Sequence, residues 1–311
     1  MSYFDTKDSD KIILIGLAES GKTTIIKVVT EGYVPDKKAK YTATLNYERK
    51  SATLLGKKLT IFDLGGQVAF LDRFTGELAE FIFSNVKTLV FVVDTVNVSE
   101  LSRAKYYMDL AMKQLSRFSP TAATFVLLHK MDLISLDKKE EITTSMKNYL
   151  KGDIKQPLSF FETSVFSESI FNAFKNIIGG PEAAPGELSG ILGKFAKENI
   201  DTIQTIQFFE ETGLPIFAPD QFAHISVSQA KKHVEKALQY IGNNNNSIST
   251  LTLFESEGVI HFVRFFFNGT SLFLTVSRKA MTEKNISILS MYEKVLALAR
   301  QLDLSSGSKL Q

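Results

Sequence analysis

Residues 11–24 read KIILIGLAESGKTT. Ile12 to Ile15 form a short apolar run, fit for a strand buried on both faces. Gly16 opens GLAESGKT, which satisfies G-x-x-x-x-G-K-[ST], and Thr24 to Val29 continue with helical spacing. A buried strand, a glycine loop and a helix start form the context in which this pattern cradles phosphates. Gly16 and Gly21 permit backbone angles that turn successive N–H groups onto an anion. The helix behind them adds unpaired N–H groups and the positive end of its dipole. The expected phosphate-side residues are Gly16, Glu19, Ser20, Gly21, Lys22, Thr23 and Thr24. Lys22 is to reach the β- and γ-phosphates, and the Thr23 hydroxyl to ligate Mg²⁺.

At 311 residues the chain is long enough for two domains, and 44% apolar content supplies a core for both. With 36 basic and 34 acidic residues the net charge is +2, so there is no nucleic-acid footprint. Lys37, Lys38 and Lys40 are the densest basic cluster and read as a solvated loop. The absence of cysteine removes disulfides, thiolate nucleophiles, cysteine metal sites and prenyl or palmitoyl anchors. Ser2 excludes myristoylation, and Gln311 follows the SKL at 308–310, so that tripeptide is not terminal. No apolar run reaches membrane-spanning length, and MSYFDTKDSD does not read as a secretory signal. The expectation is a soluble, cytoplasmic protein with no direct membrane anchor.

The helix from Lys22 is expected to end near Gly32, before a lysine-rich loop over 33–41. A strand to Leu55, a turn at 56–58 and a return strand Leu59 to Asp63 then read as a hairpin. A threonine between the phosphate loop and such a hairpin is where a nucleotide switch places its second Mg²⁺ ligand: Thr44, with Thr42 the competitor. The hairpin ends in Asp63-Leu64-Gly65-Gly66-Gln67. Asp63 is placed to hold Mg²⁺ through water. Gly66 leaves its N–H open to a γ-phosphate, and the Gln67 amide suits orienting an attacking water. DLGGQ alone is also an ordinary two-glycine turn; its place about forty residues after a phosphate loop makes it informative.

Thr88 to Asp94 is a second apolar strand, and a helix is expected from Ser99 to about Arg117. Thr124 to Leu128 is a third, ending in His129-Lys130-Met131-Asp132. A carboxylate at Asp132 can accept from the N1–H and exocyclic amine of guanine. Adenine lacks that donor pair, so GTP is selected over ATP. The Lys130 stem is to lie along the base. Leu158 to Glu162 is the last strand, followed by Thr163-Ser164-Val165, where Ser164 and the Val165 N–H are to meet the base, and a helix to about Ile178.

Together these motifs resemble those of the Ras-like small GTPases, in order and at family spacing. The closer similarity is to the Rag (Gtr) branch. His129 stands where the asparagine of N-K-x-D is usual, and HKMD is the form Rag proteins carry. The stretch after the last strand lacks the alanine–lysine pair, again as in Rags, and Gly65 to Phe70 is similar to their GGQxxF. The resemblance implies an α/β fold: a P-loop G domain over 10–178 with a mostly parallel six-stranded sheet and helices on both faces. It implies GTP/GDP and Mg²⁺ as cofactors, with Gln67, Lys22 and Thr44 as the catalytic set and Thr23, Thr44 and Asp63 around the metal. His129, Lys130, Asp132, Ser164 and Val165 are the base-side set.

Residues 1–9 and 304–311 read as tails, and 179–190, GGPEAAPGELSG, as a linker rich in glycine and proline. Beyond it Leu188, Ile191, Leu192, Phe195, Ile200 and Ile203 keep helical spacing. A hairpin is expected over 206–218, a helix over 226–241, strands near 249–255, 258–267 and 271–277, and a closing helix from Ile286 to Leu302. That order resembles the α+β roadblock domain, expected over 191–303. His224, His233 and His261 show no metal-ligand spacing. The cluster Phe262, Phe265, Phe266 and Phe267 is more apolar than a one-faced strand needs. Either both faces are covered within the domain, or a face or edge meets a partner. The resemblance implies a homodimer or a heterodimer with a related chain through this domain, activating and exchange factors, roadblock/longin-type scaffolds, and partner proteins that recruit the complex to a membrane surface. Two functions follow: a GTP-hydrolysing switch, or a scaffold that holds nucleotide structurally. No arginine lies between Lys11 and Thr44, Arg49 belongs to the hairpin, and Arg73 falls six residues after Gln67, so slow intrinsic hydrolysis is expected.

Overall fold

The computed structural model describes residues 9–31, 33, 35, 44, 46–54, 57–167, 169–179, 186–201, 203–210, 215–217, 227–241, 249–255, 258–267, 270–279, 293–298 and 300. The chain divides into two compact units, Met1–Ile177 and Ile178–Gln311.

In the first unit the elements are β1 (Asp10–Ile15), α1 (Lys22–Glu31), β2 (Tyr47–Leu54), β3 (Lys57–Leu64), α2 (Val68–Thr75) and α3 (Ala79–Phe83). Then come β4 (Val86–Asp94), α4 (Leu101–Phe118), β5 (Ala123–His129), α5 (Leu136–Lys151), β6 (Ser159–Thr163) and α6 (Ser169–Gly179). The six strands form one sheet in the order β2-β3-β1-β4-β5-β6. Only the β2–β3 pair is antiparallel. The chain leaves β1 with β3 on one side and β4 on the other, so a crevice opens at the carboxyl end of β1.

The apolar runs are explained by two covered faces. Ile13, Ile15, Phe62, Leu64, Phe91, Val93, Val126 and Leu128 pack in one cluster with residues of α2, α3, α4 and α5. The alternate residues Ile12, Leu14, Ile61, Val90, Val92 and Leu127 point the other way and are also buried. The sequence reading singled out neither α2, α3 nor α5. In α5 only Thr143, Met146 and Leu150 are buried among 16 residues, too sparse a stripe to announce itself. The helix expected from Ser99 begins instead with a single 3₁₀ turn, Val98–Glu100, before α4.

In the second unit α7 (Gly186–Glu198), β7 (Ile203–Glu210), β8 (Pro215–Phe217), α8 (Val227–Ile241), β9 (Ser249–Glu255), β10 (Gly258–Phe267) and β11 (Thr270–Lys279) follow in order. The helical backbone starts at Gly186, inside the stretch whose glycines and prolines suggest linker, because the apolar spacing from Leu188 already rewards helix. At the other end the helix stops short of the expected Ile203, which instead opens β7; its β-branched side chain pairs in register with Arg278. Residues 293–298 and 300 are helical, while the other residues of the expected closing helix, the linker centre, His224 and Thr42 lie outside the described residues. The sheet order is β8-β7-β11-β10-β9, antiparallel throughout. Phe209, Ile260, Phe262 and Phe273 pack against Val234 and Ala237 of α8. Ile260 to Arg264 are buried at every position, so both faces of this part of β10 are covered within the chain. His233 meets the Phe262 ring edge-on, and His261 Nδ1 lies 3.0 Å from Thr252 Oγ1, which makes both core-associated histidines.

Lys11 is an ionisable group inside the first unit. It is 8% exposed, and its Nζ donates to the carbonyls of Phe81 and Ser84, both at 3.0 Å. It also lies 4.7 Å from the centroid of the Phe62 ring. Burial first, and the Arg49 charge second, push its pKa down to about 8. The unfolded chain holds this proton more tightly between pH 8 and 10.5, so this residue's contribution to stability rises with pH across that window and is flat below it. Thermal unfolding from pH 7 to 10 should therefore show the wild type gaining on Lys11→Met as pH rises. A constant gap between the two would contradict the burial argument.

Candidate functional site

The loop after β1 closes on its own lysine. Lys22, the first residue of α1, is 5% exposed. Its Nζ donates to Gly16 O at 2.9 Å, Leu17 O at 2.8 Å and Ser20 Oγ at 3.3 Å. Reaching that curvature requires left-handed backbone at Glu19, φ 61°, and φ 98° at Gly21. Burial pushes the Lys22 pKa down to about 8, opposed by the Asp63 charge. Thr24 follows in the first turn of α1, half-buried.

Thr23, Thr44 and Asp63 converge beside this loop. Parallel pairing of β1 with β3 sets Leu14 opposite Asp63, which brings the carboxylate to the base of the loop. Thr23 Oγ1 donates to Asp63 Oδ2 at 2.6 Å and lies 2.6 Å from Thr44 Oγ1, while Thr44 Oγ1 is 3.4 Å from the same carboxylate oxygen. Burial raises the Asp63 pKa, against the lowering effects of the Thr23 hydroxyl and Lys22. The other oxygen, Asp63 Oδ1, is buried with no hydrogen-bond partner. Two hydroxyls and a carboxylate with an unsatisfied buried oxygen are hard donors of the kind Mg²⁺ takes, so the residues present fit that ion.

The segment after β3 leans on the loop. Gly65 N donates to Asn46 O at 2.7 Å. A Cβ at Gly66 would come within 2.3 Å of Leu17 C and 2.4 Å of Ala18 N, so any side chain there would force the two segments apart. Gln67 follows as the exposed residue before α2 and does not cap the helix with its side chain. With Gly66 and Val68 it lines a cavity of about 240 Å³, bounded across from it by Leu17 to Ser20 and by Leu101 and Ala104 of α4.

The residues expected on the base side gather at the ends of β5 and β6. Ser164 Oγ donates to Asp132 Oδ1 at 2.6 Å, tying the two loops together. Phe166 N donates to Ser164 Oγ at 3.0 Å, and Val165 lies half-buried between them. Lys130 takes left-handed backbone, φ 65°, and its Nζ donates to Asp94 Oδ2 at 2.7 Å. His129 is 2% exposed, with Nδ1 3.0 Å from Thr163 Oγ1. Its opposite ring edge faces Gly21, where a Cβ would sit 2.8 Å from Cδ2. The imidazole thus spans from the β6 loop to the phosphate loop. Burial, reinforced by Lys130, pushes its pKa down to about 4, so the ring is neutral at pH 7.

Three contributors escaped the sequence reading. Asp94 holds Lys130, Thr163 holds His129, and Thr95 donates from both N–H and hydroxyl to His129 O, at 3.1 and 2.7 Å. Asp94 was legible only as an acid at the end of an apolar strand and Thr163 only as the first residue of Thr163-Ser164-Val165, with no role of its own; Thr95 carries no motif. Replacing His129 with Ala should remove the brace and weaken nucleotide binding by about 1–3 kcal/mol, the scale of leaving a buried polar neighbour unpaired. His129→Asn, which keeps a group able to bond Thr163, should lose less. Titration of both variants with a fluorescent guanine nucleotide checks the order.

A family profile described as "Gtr1/RagA G protein conserved region" matches residues 11–212. GTP-binding protein GTR1 of Saccharomyces cerevisiae is 31% identical over 211 residues, covering 66% of this chain and 67% of that protein. Ras-related GTP-binding protein A of Dictyostelium discoideum is 27% identical over 170 residues, covering 54% and 56%. GTP-binding protein gtr2 of Schizosaccharomyces pombe is 31% identical over 176 residues, covering 54% of each. The alignments thus span between about half and two-thirds of these relatives' lengths. With the profile match running from the first strand through α6 and into the second unit, the chain belongs to the Gtr1/RagA family of small GTPases.

Proposed function

We propose that this chain is a GTP-hydrolysing switch that uses all the residues assembled in the first unit. The observation that carries the reading is the convergence of Thr23, Thr44 and Asp63 beside a buried Lys22. Loop N–H groups from Glu19 to Thr24 and the Lys22 ammonium bind the phosphates. Mg²⁺, held by Thr23, Thr44 and, through water, Asp63, would neutralise charge on the phosphate oxygens. Gly66 N–H meets the γ-phosphate, and Gln67 orients the water that attacks γ-phosphorus as the bond to the β–γ bridging oxygen breaks. Asp132 accepts from the two guanine donors while Ser164 keeps its carboxylate aimed and Asp94 holds the Lys130 ammonium. A scaffold that held nucleotide only structurally would have no use for Thr44 or Gln67 in these positions.

Regulation then comes from partners. With no arginine in the segment from Lys11 to Thr44, the charge that builds up in phosphoryl transfer is left for another protein to meet, a contribution of about 10³–10⁵ in rate. The second unit, read as a roadblock-like domain, pairs with a related chain. Among the described residues its sheet ends in a seven-residue edge strand, β9, that can meet a partner's backbone, while Ile260 to Arg264 of β10 are already covered on both faces.

Two measurements on the purified full chain test the reading. GTP and GDP should bind far better than ATP, and Asp132→Asn should cost guanine nucleotides about 1–3 kcal/mol. Single-turnover hydrolysis should be slow and should fall by about 10²-fold in Gln67→Leu, with GTP affinity nearly intact. Fast hydrolysis unaffected by Gln67→Leu, or equal affinity for GTP and ATP, would sink it.

A further inference from the structure

We propose that Tyr107 is a positioning residue for Gln67, acting through α2; this rests on the reading that Gln67 orients the attacking water. Gln67 directly precedes α2, and its carbonyl accepts from Phe70 N and Leu71 N, both at 3.0 Å. The backbone of Gln67 therefore moves with the first turn of that helix. The helix is only eight residues long, so it moves as one piece.

Two polar contacts fasten α2 to α4. Tyr107 OH donates to Asp72 Oδ1 at 2.7 Å, and Gln114 Nε2 donates to Thr75 O at 2.7 Å. Asp72 and Thr75 lie three residues apart on α2, and Tyr107 and Gln114 seven apart on α4, so each pair sits on one stripe of its helix. Leu71 and Phe74, both fully buried, fix the depth of α2 against the core. Apolar contacts are not directional, so they fix depth more firmly than rotation. Rotation and axial register come from the hydrogen bonds, whose strength falls steeply with angle. The Tyr107 side is 3% exposed, and its hydroxyl meets a carboxylate, which makes this the stronger kind of bond.

Toward the start of α2 the packing opens. There Gln67 and Val68 face the cavity of about 240 Å³ rather than packed side chains of α4. The fastened end is thus Asp72 to Thr75, and Gln67 lies about 8 Å from Asp72 along the axis. A small rotation at Asp72 is passed along the helix backbone toward the glutamine.

The test uses the full chain and reads rate, affinity and backbone protection together. In Tyr107→Phe, single-turnover GTP hydrolysis should fall about ten- to hundredfold, the cost of slight misplacement of a reacting group. GTP and GDP affinities should stay unchanged, and hydrogen exchange should quicken over residues 67–75 and nowhere else in the first unit. Asp72→Asn, which keeps an acceptor, should recover most of the rate that Asp72→Ala loses. In a Gln67→Leu background, Tyr107→Phe should bring no further loss. A wild-type rate in Tyr107→Phe beside a slowed Gln67→Leu would overturn the proposal alone. So would a full additional loss in the double variant, or weakened nucleotide binding in step with rate. If Gln67→Leu itself hydrolyses normally, the water-orienting reading falls and takes this one with it.

Discussion

A lysine ammonium at 5% exposure has to be surrounded by acceptors, and much of the site follows from that requirement at Lys22. The acceptors come from Gly16, Leu17 and Ser20, so the chain must curl back around the ammonium between β1 and α1. Curling puts Glu19 and Gly21 in left-handed backbone and brings Gly21 against the His129 ring. The nearest opposite charge, Asp63, arrives by strand register rather than by loop design, because β3 pairs with β1 residue for residue. Both groups are shifted toward neutrality by burial, and a phosphate beside one and a divalent cation beside the other would reverse each shift. The sheet thus does the electrostatic work, and the loops inherit its geometry.

The sequence was informative wherever a residue's chemistry and its place at a strand end coincided. Three uninterrupted apolar runs marked strands covered on both faces, and the motifs fell at their carboxyl ends, where a parallel sheet gathers loops from distant parts of the chain. It was silent where a residue acts on another residue. Asp94 is an unremarkable terminal acid until Lys130 folds back onto it, and Thr163 one of two hydroxyls until the imidazole of His129 arrives. Helices α2, α3 and α5 leave little trace in the sequence because the first two are short and the third buries few side chains. In the second unit the helical period runs on past the end of α7: Ile200 and Ile203 continue it by accident, while Ile203 finds its partner across a sheet.

The His129 imidazole also shows how one substitution constrains another. A ring is longer than a side-chain amide, and its far edge occupies space that a Cβ at position 21 would need. The glycine required by loop curvature is thereby required a second time by a neighbour from another strand. The loop after β1 and the end of β5 each limit the size of the other, so their spacing is set by van der Waals contact and not by hydrogen bonds alone.

The strand order of the second unit has a consequence for synthesis on the ribosome. β7 pairs with β11, joining Ile203 to Arg278 and Glu210 to Leu272, so its inner edge finds no native neighbour until the chain has grown past residue 279. The six-stranded sheet of the first unit is complete once β6 ends at Thr163. During elongation, one unit can close while the other still presents an aromatic strand, with Phe208 and Phe209, whose main-chain donors and acceptors await a partner. Closing that long interval is a slow, non-local event, and it is the stage at which the nascent chain is most open to pairing with the wrong strand.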